Sequence, residues 1–172
     1  MTDENNAASS HGDYEARWLE IEASLGRLLV AWSRVEFYVS RVFLGVVELD
    51  EPAATVLVRR LTGDTMSDIT LTLLKHRDPT VSEPIRTWLK AVKLVREDRN
   101  KLFHGTLVDQ SDGVEWLPTN VNYTLDEGGV ARLGGPRLTV KALADLRARM
   151  YDIQRDFATL PEIALRGIQT DV

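Results

Sequence analysis

The stretch IRTWLKAVKLVREDRNKLFHG, residues 85–105, decides the fold because its apolar residues recur at intervals of three and four. This spacing predicts an amphipathic helix that begins near Ser82, holds Pro84 in its first turn and ends at His104. Gly105 then suits the position just after the helix end. One side of this helix carries Ile85, Trp88, Leu89, Val92, Val95, Leu102 and Phe103, together with a single charged residue, Arg99.

Helical spacing also occurs before and after this stretch. It runs from Trp18 to Val46, from about Ala53 to Lys75 with a break near Thr62-Gly63-Asp64, and from Val140 to about Leu160. Residues 106–138 are instead short segments rich in Val, Leu, Tyr and Thr, divided by Gly and Pro, which predicts two hairpins or a small antiparallel meander. The sequence therefore predicts a mainly α fold with a small β insertion between its third and last long helices.

Length and composition indicate one domain. A chain of 172 residues can bury a substantial core without disulfides or metals. Residues 1–13 are polar and predict a disordered leader, residues 14–160 a single helical domain, and residues 161–172 a loose C-terminal tail. We expect no membrane span, because no apolar run approaches about 18 residues.

Charge and cysteine content narrow the functional classes. The formal net charge of -5 argues against a general nucleic-acid binder, which normally has a basic surface. There are no cysteines, and the three histidines are widely spaced, so the sequence predicts no metal and no cofactor. The N-terminus has neither a basic start nor an apolar core, which predicts a cytoplasmic protein rather than a secreted one.

Arg99 stands out because it lies on the apolar stripe of its helix. A buried charge is costly unless it is paired. The best partner in the sequence is Glu36, which lies between Trp32 and Val39 on the apolar stripe of the first helix. We therefore predict an Arg99–Glu36 ion pair that supports the segment around Arg99.

The same helix end brings together groups that can cut RNA without metal. An imidazole can move the proton of an attacking 2′-hydroxyl, and a guanidinium can stabilise the charged phosphorane. Asn100 and His104 are four residues apart, so the amide could orient the imidazole. Two simpler interpretations remain open: His104 before Gly105 can be a capping side chain, and Arg99 can be purely structural.

Basic residues are concentrated in this segment. Arg86, Lys90, Lys93 and Lys101 make it net positive within an acidic protein. They are candidates for an RNA-facing surface, although such a run is also typical of a solvated helix face.

The sequence Arg99-Asn100-x-x-x-His104 at the end of a helix resembles the Arg-x4-6-His motif of the HEPN superfamily. In that family a polar residue, often Asn, follows the arginine. Gly105 and the early Trp32-x3-Glu36 are also similar to bacterial members. The resemblance covers about residues 14–104 and 139–160.

This resemblance implies an antiparallel helical bundle, frequently a homodimer, that cuts RNA without metal. His104 would be the acid/base group, Arg99 the phosphate stabiliser or structural anchor, and Asn100 the orienting group. The implied function is an endoribonuclease, as in toxins or antiphage effectors, with RNA as substrate and a cognate antitoxin or regulatory protein as a further partner.

Other functions remain open. Some HEPN proteins are noncatalytic, and the alternative here is a dimeric interaction module that binds a protein or a nucleotide. A DNA-binding regulator is disfavoured because no basic recognition helix follows a short turn. A recognition surface in the insertion would use Trp116, Tyr123, Asn120 and Asn122.

Overall fold

The computed structural model describes residues 4–49, 51–103, 105–110, 113–118, 124–125, 131–132 and 139–165. The chain is mainly helical, which confirms the predicted class. Its helices are α1 (Glu4–Val47), α2 (Glu51–Arg60), α3 (Gly63–Leu73), α4 (Pro79–Phe103), α5 (Val140–Phe157) and α6 (Glu162–Leu165), with a 3-10 turn at Leu74–His76. None of the described helices is both long enough and apolar enough to cross a membrane.

Four short strands lie between α4 and α5. They are β1 (Gly105–Gln110), β2 (Gly113–Pro118), β3 (Thr124–Leu125) and β4 (Ala131–Arg132). β1 and β2 pair antiparallel, and β3 and β4 form a second antiparallel pair. In the first pair, Gly105 lies opposite Pro118 and Gln110 lies opposite Gly113.

The chain divides into two compact units. The first unit consists of Met1–Leu29 and Asp98–Arg147, and the second of Val30–Glu97 and Ala148–Val172. The sequence predicts one domain from residue 14, whereas α1 already begins at Glu4. The predicted tail contains α6, and its residues 166–172 lie outside the described part of the chain.

The second unit has a core of apolar side chains from α1, α4 and α5. Tyr38 stacks on Phe157 with ring centroids 4.2 Å apart, and the Trp88 ring lies 5.9 Å from the same phenylalanine. The Trp88 indole N–H donates to the backbone carbonyl of Ile153 over 2.8 Å, so this buried donor is satisfied. The predicted inward stripe of the last helix is confirmed, since Leu143, Leu146, Met150, Ile153 and Phe157 are all buried.

The first unit has a smaller apolar cluster. Ile21 of α1 and Leu143 of α5 are its buried centre. Trp18, Leu25, Leu102 and Val140 pack around them and are partly buried. Leu102 belongs to the last turn of α4, so this cluster holds the helix end that carries Arg99 and Asn100.

The start of α4 differs from the prediction. The helix begins at Pro79 rather than near Ser82, and Ser82 is buried within it. Asp78 caps the helix, because its carboxylate accepts hydrogen bonds from the Thr80 amide and hydroxyl. Proline suits the first helical position because the N–H it lacks would have no partner there. The Asp78-Pro79 pair, not Ser82 with Pro84, therefore starts the helix.

The predicted break between α2 and α3 is confirmed. Thr62 has an extended backbone, and its hydroxyl accepts a hydrogen bond from the Thr65 amide over 3.2 Å. This N-cap satisfies one of the amides that a helix start leaves without an internal partner.

Candidate functional site

The candidate site lies in the last turn of α4, within the first unit. Arg99 and Asn100 are both half-buried there. The guanidinium Nη1 of Arg99 donates a hydrogen bond of 2.9 Å to the side-chain oxygen of Asn100. This bond fixes which way the amide faces, since only its oxygen can accept from a guanidinium. Asn100 therefore orients Arg99, whereas the sequence predicts that it orients His104.

An aromatic ring also holds the Arg99 guanidinium. Its central carbon lies 4.7 Å from the centroid of the Phe103 ring, a cation–π distance. The C-terminal end of a helix carries partial negative charge, which further favours a cation at this position. Arg99 is thus held in a defined orientation by an amide, a ring and the helix end.

The amide nitrogen of Asn100 completes the donor arrangement. Its oxygen is occupied by Arg99, while its nitrogen has no hydrogen-bond partner among the described residues. A guanidinium and an amide N–H₂ on adjacent residues form a paired set of donors suited to a phosphoryl oxygen.

His104, the predicted acid/base group, lies outside the described residues. The elements around it are defined: α4 ends at Phe103 and β1 begins at Gly105.

The predicted RNA-facing residues differ in exposure. Lys90 and Lys93 are exposed on the part of α4 that belongs to the second unit, whereas Arg86 is half-buried. Lys101, in the first unit, is exposed and pairs with Asp98 over 3.2 Å. A surface pair of this kind contributes little to stability.

The fully buried arginine of α4 is Arg96, which the sequence interpretation missed. Only 6% of Arg96 is exposed, and its Nη1 forms an ion pair with Asp64 in the first turn of α3. The guanidinium lies 5.7 Å from the centroid of the Trp32 ring. Its Nη2 has no hydrogen-bond partner among the described residues and lies against Gly63, where an added Cβ would come within 2.9 Å.

The prediction that Glu36 lies on the buried stripe of α1 is wrong. Glu36 is exposed on α1, while the neighbouring Trp32, Val35 and Val39 are buried. This exposed position, off the apolar stripe of α1, removes the reason for pairing Glu36 with Arg99. The structure instead pairs the buried Arg96 with Asp64, whose side chain is 65% exposed.

A signal for Arg96 is present in the sequence. Arg96 follows Val92 by four residues and Ile85 by eleven, which places it on the same face as both. Its partner has no such signal, because the pairing with Asp64 depends on how α3 packs against α4.

No protein-family model, curated protein or solved structure matches the chain. Among the described residues, no cluster of three or more His, Asp or Glu side chains could hold a metal ion. The groups with chemistry to offer are the side chains at the end of α4.

Proposed function

We propose that this protein is a metal-independent endoribonuclease of HEPN type that acts as a homodimer. The observation that carries the proposal is the hydrogen bond between Arg99 and Asn100 in the last turn of α4, directly before His104. The proposed architecture is a HEPN-like antiparallel bundle with a β insertion at about 106–138.

In the proposed reaction, the imidazole of His104 accepts the proton of a ribose 2′-hydroxyl. The oxygen attacks the adjacent phosphorus, and the bond from phosphorus to the 5′-oxygen breaks. The leaving 5′-oxygen takes up the proton that the His104 imidazole had accepted, so the products are a 2′,3′-cyclic phosphate and a 5′-hydroxyl. Arg99 stabilises the added negative charge of the phosphorane, and the Asn100 amide holds the guanidinium in place.

Exposed apolar side chains of the second unit support the homodimer. Val30 and Phe37 are 56% and 50% exposed and lie seven residues apart on α1, which places them on one face. Leu94 and Tyr151 are also exposed, at 58% and 47%. Val30 and Phe37, on one face of α1, are the candidates for an apolar surface that a second copy would cover.

The proposed setting is a cytoplasmic toxin or antiphage effector that cleaves cellular RNA under the control of an antitoxin or regulatory protein. The net charge of -5 fits an enzyme that contacts RNA locally better than one that coats it.

The first experiment compares the wild type with His104→Ala and a matched control, His76→Ala, after induced expression in bacteria. His76 is exposed in the 3-10 turn and has no proposed role. We expect the wild type and His76→Ala to stop growth and fragment RNA, and His104→Ala to do neither.

The purified proteins provide the chemical test. With EDTA present, the wild type should cut an oligoribonucleotide to leave cyclic phosphate ends, and His104→Ala should be slower by about 10²–10⁴-fold. Equal RNA integrity and equal growth for all three proteins, with no cleavage in vitro, would contradict the proposal.

A second candidate is a noncatalytic dimeric module that binds a protein or nucleotide partner. The observation in its favour is that Lys90 and Lys93 are exposed, lie one turn apart, and form no ion pair with any described residue. This alternative predicts that Arg99→Ala lowers stability while His104→Ala changes nothing. The ribonuclease predicts that His104→Ala abolishes activity without unfolding the protein.

A further inference from the structure

A small cavity in the first unit has two arginines and a buried serine in its wall. It lies between the first part of α1 and the start of α5 and has a volume of about 70 Å³. Its lining consists of Ser24, Arg27, Val140, Leu143, Ala144 and Arg147. A liquid water occupies about 30 Å³, so the cavity has room for a group as small as a single oxyanion but not for a base or a sugar.

The two arginines of this cavity have no acidic partner among the described residues. The described residues that line it include no carboxylate, and neither Arg27 nor Arg147 forms an ion pair with any of the described residues. The nearest acidic residue along α5, Asp145, is already paired with Lys141 over 3.2 Å. Two like charges on one small cavity repel each other, and an anion between them removes that repulsion.

Ser24 provides a third donor. Its side chain is 7% exposed, and its oxygen accepts a hydrogen bond of 3.2 Å from Nη2 of Arg27. That bond leaves the hydroxyl hydrogen of Ser24 with no acceptor among the described residues. Other helical hydroxyls donate to a backbone carbonyl three or four residues earlier, namely those of Ser33, Ser40, Ser67, Thr70 and Thr72.

We propose that Ser24, Arg27 and Arg147 form a binding site for a phosphate group. Two guanidinium groups and a hydroxyl offer donors only, which matches a tetrahedral oxyanion that is rich in acceptors. The apolar wall of Val140 and Leu143 lowers local solvation and strengthens these contacts. The site does not depend on RNA cleavage, and its ligand is the phosphate of a polynucleotide backbone or of a free nucleotide.

Binding of inorganic phosphate to the whole protein tests the site. Titration calorimetry at low ionic strength should show saturable binding, with sodium chloride at matched ionic strength as the reference. Arg147→Gln and Arg27→Gln should each raise the Kd about tenfold or more, because each removes a charge-assisted hydrogen bond. Arg147→Lys should recover part of the affinity.

Arg34→Gln is the matched control. Arg34 is exposed on α1, outside the cavity, and has no contact with it. Its Kd for phosphate should equal that of the wild type. The proposal is overturned if the wild type does not bind phosphate, or if Arg34→Gln weakens binding as much as Arg147→Gln, since the effect would then be one of general charge. Circular dichroism confirms that each variant is folded.

Competition separates the two sources of phosphate. A mononucleotide and a short oligoribonucleotide, each added to the His104→Ala protein, are compared for displacement of inorganic phosphate. Displacement by the oligoribonucleotide alone supports a backbone phosphate, and equal displacement per phosphate supports a free nucleotide. The absence of RNA cleavage would contradict the proposed function without affecting this result, so the two proposals fail separately.

Discussion

The two units use arginine in different ways. In the second unit, Arg96 is buried, pairs with the carboxylate of Asp64 and lies near the Trp32 ring. In the first unit, Arg99 is half-buried, donates to the amide of Asn100 and lies over the Phe103 ring. The two guanidinium groups come from adjacent turns of one helix and have similar aromatic neighbours.

The difference lies in the charge of the group that each arginine contacts. A carboxylate cancels a positive charge, so the Arg96 pair contributes to structure and offers little to a ligand. Asn100 is neutral, so its hydrogen bond orients the Arg99 guanidinium without the charge neutralisation that Asp64 gives Arg96. We interpret Arg96 as structural and propose that Arg99 is functional.

Arg99→Lys should have the largest effect, and on activity. Lysine keeps the charge but lacks the planar fork that can contact both Asn100 and a phosphate. We expect kcat/KM for an oligoribonucleotide to fall about 10²–10³-fold, with little change in Tm. A large loss of stability at unchanged activity per folded molecule would reverse the assignment of roles.

Changes to the Arg96 pair should affect stability and not activity. Asp64→Asn leaves the buried charge of Arg96 without a carboxylate partner. We expect the free energy of unfolding to fall by about 1–3 kcal/mol. This loss is smaller than for a fully buried pair because the Asp64 side chain is 65% exposed. Arg96→Met should cost about 1 kcal/mol or less, since the remaining carboxylate is solvated. Urea denaturation measures both, and an equal loss for both variants would contradict the proposed asymmetry.

Substitutions at two glycines of α1 test how tightly the backbone is packed in each unit. A Cβ on Gly45, in the second unit, would clash with the backbone carbonyl of Ile163, whereas one on Gly26, in the first unit, meets nothing within 4 Å. We expect Gly45→Ala to destabilise the protein by about 1–3 kcal/mol. Gly26→Ala should stabilise it by about 0.5–1 kcal/mol, because alanine favours a helix. If thermal denaturation showed that both variants change Tm in the same direction, the predicted difference between the two positions would be contradicted.

The smallest effect concerns an exposed carboxylate of the second unit. The hydrogen bonds from the Thr80 hydroxyl and amide lower the pKa of Asp78. Its contribution to stability is therefore present above the ordinary aspartate pKa and is lost as the pH falls through the lowered value. We expect the wild type to lose slightly more Tm than Asp78→Asn between pH 7 and pH 3. Parallel Tm curves for the two proteins would show that this cap does not affect acid stability.

Apolar periodicity predicted the long helices, but not the first turns of α1 from Glu4 or the short α6. The stripes of α4 and α5 repeat at the helical period, and burial follows them from Ile85 to Val95 and from Leu143 to Phe157. The start of α4 was predicted wrongly because two prolines, Pro79 and Pro84, can each occupy a first helical turn. The prediction chose Pro84, which is nearer to the first apolar residue, Ile85, but Asp78 caps the helix before Pro79.

The site was harder to predict because it depends on single side chains. The sequence placed Arg99 and Asn100 at the helix end, but their hydrogen bond depends on rotamers that no pattern encodes. Glu36 is one residue away from Val35 on α1, and that step of about 100° takes it from the core to solvent. The Arg96–Asp64 pair and the Ser24 cavity join residues far apart in the chain, so only tertiary structure identifies them.

The close approach of α6 to Gly45 restricts which residues can replace this glycine during evolution. A helix of four residues is not stable alone, so α6 depends on its packing against α1. Gly45 leaves room there for the Ile163 carbonyl, and a larger residue would push α6 away. Lineages that keep the chain through Ala164 should retain glycine at position 45, and those that lose the end of the chain are free to replace it. Loss of the segment would therefore precede, or accompany, the loss of the glycine.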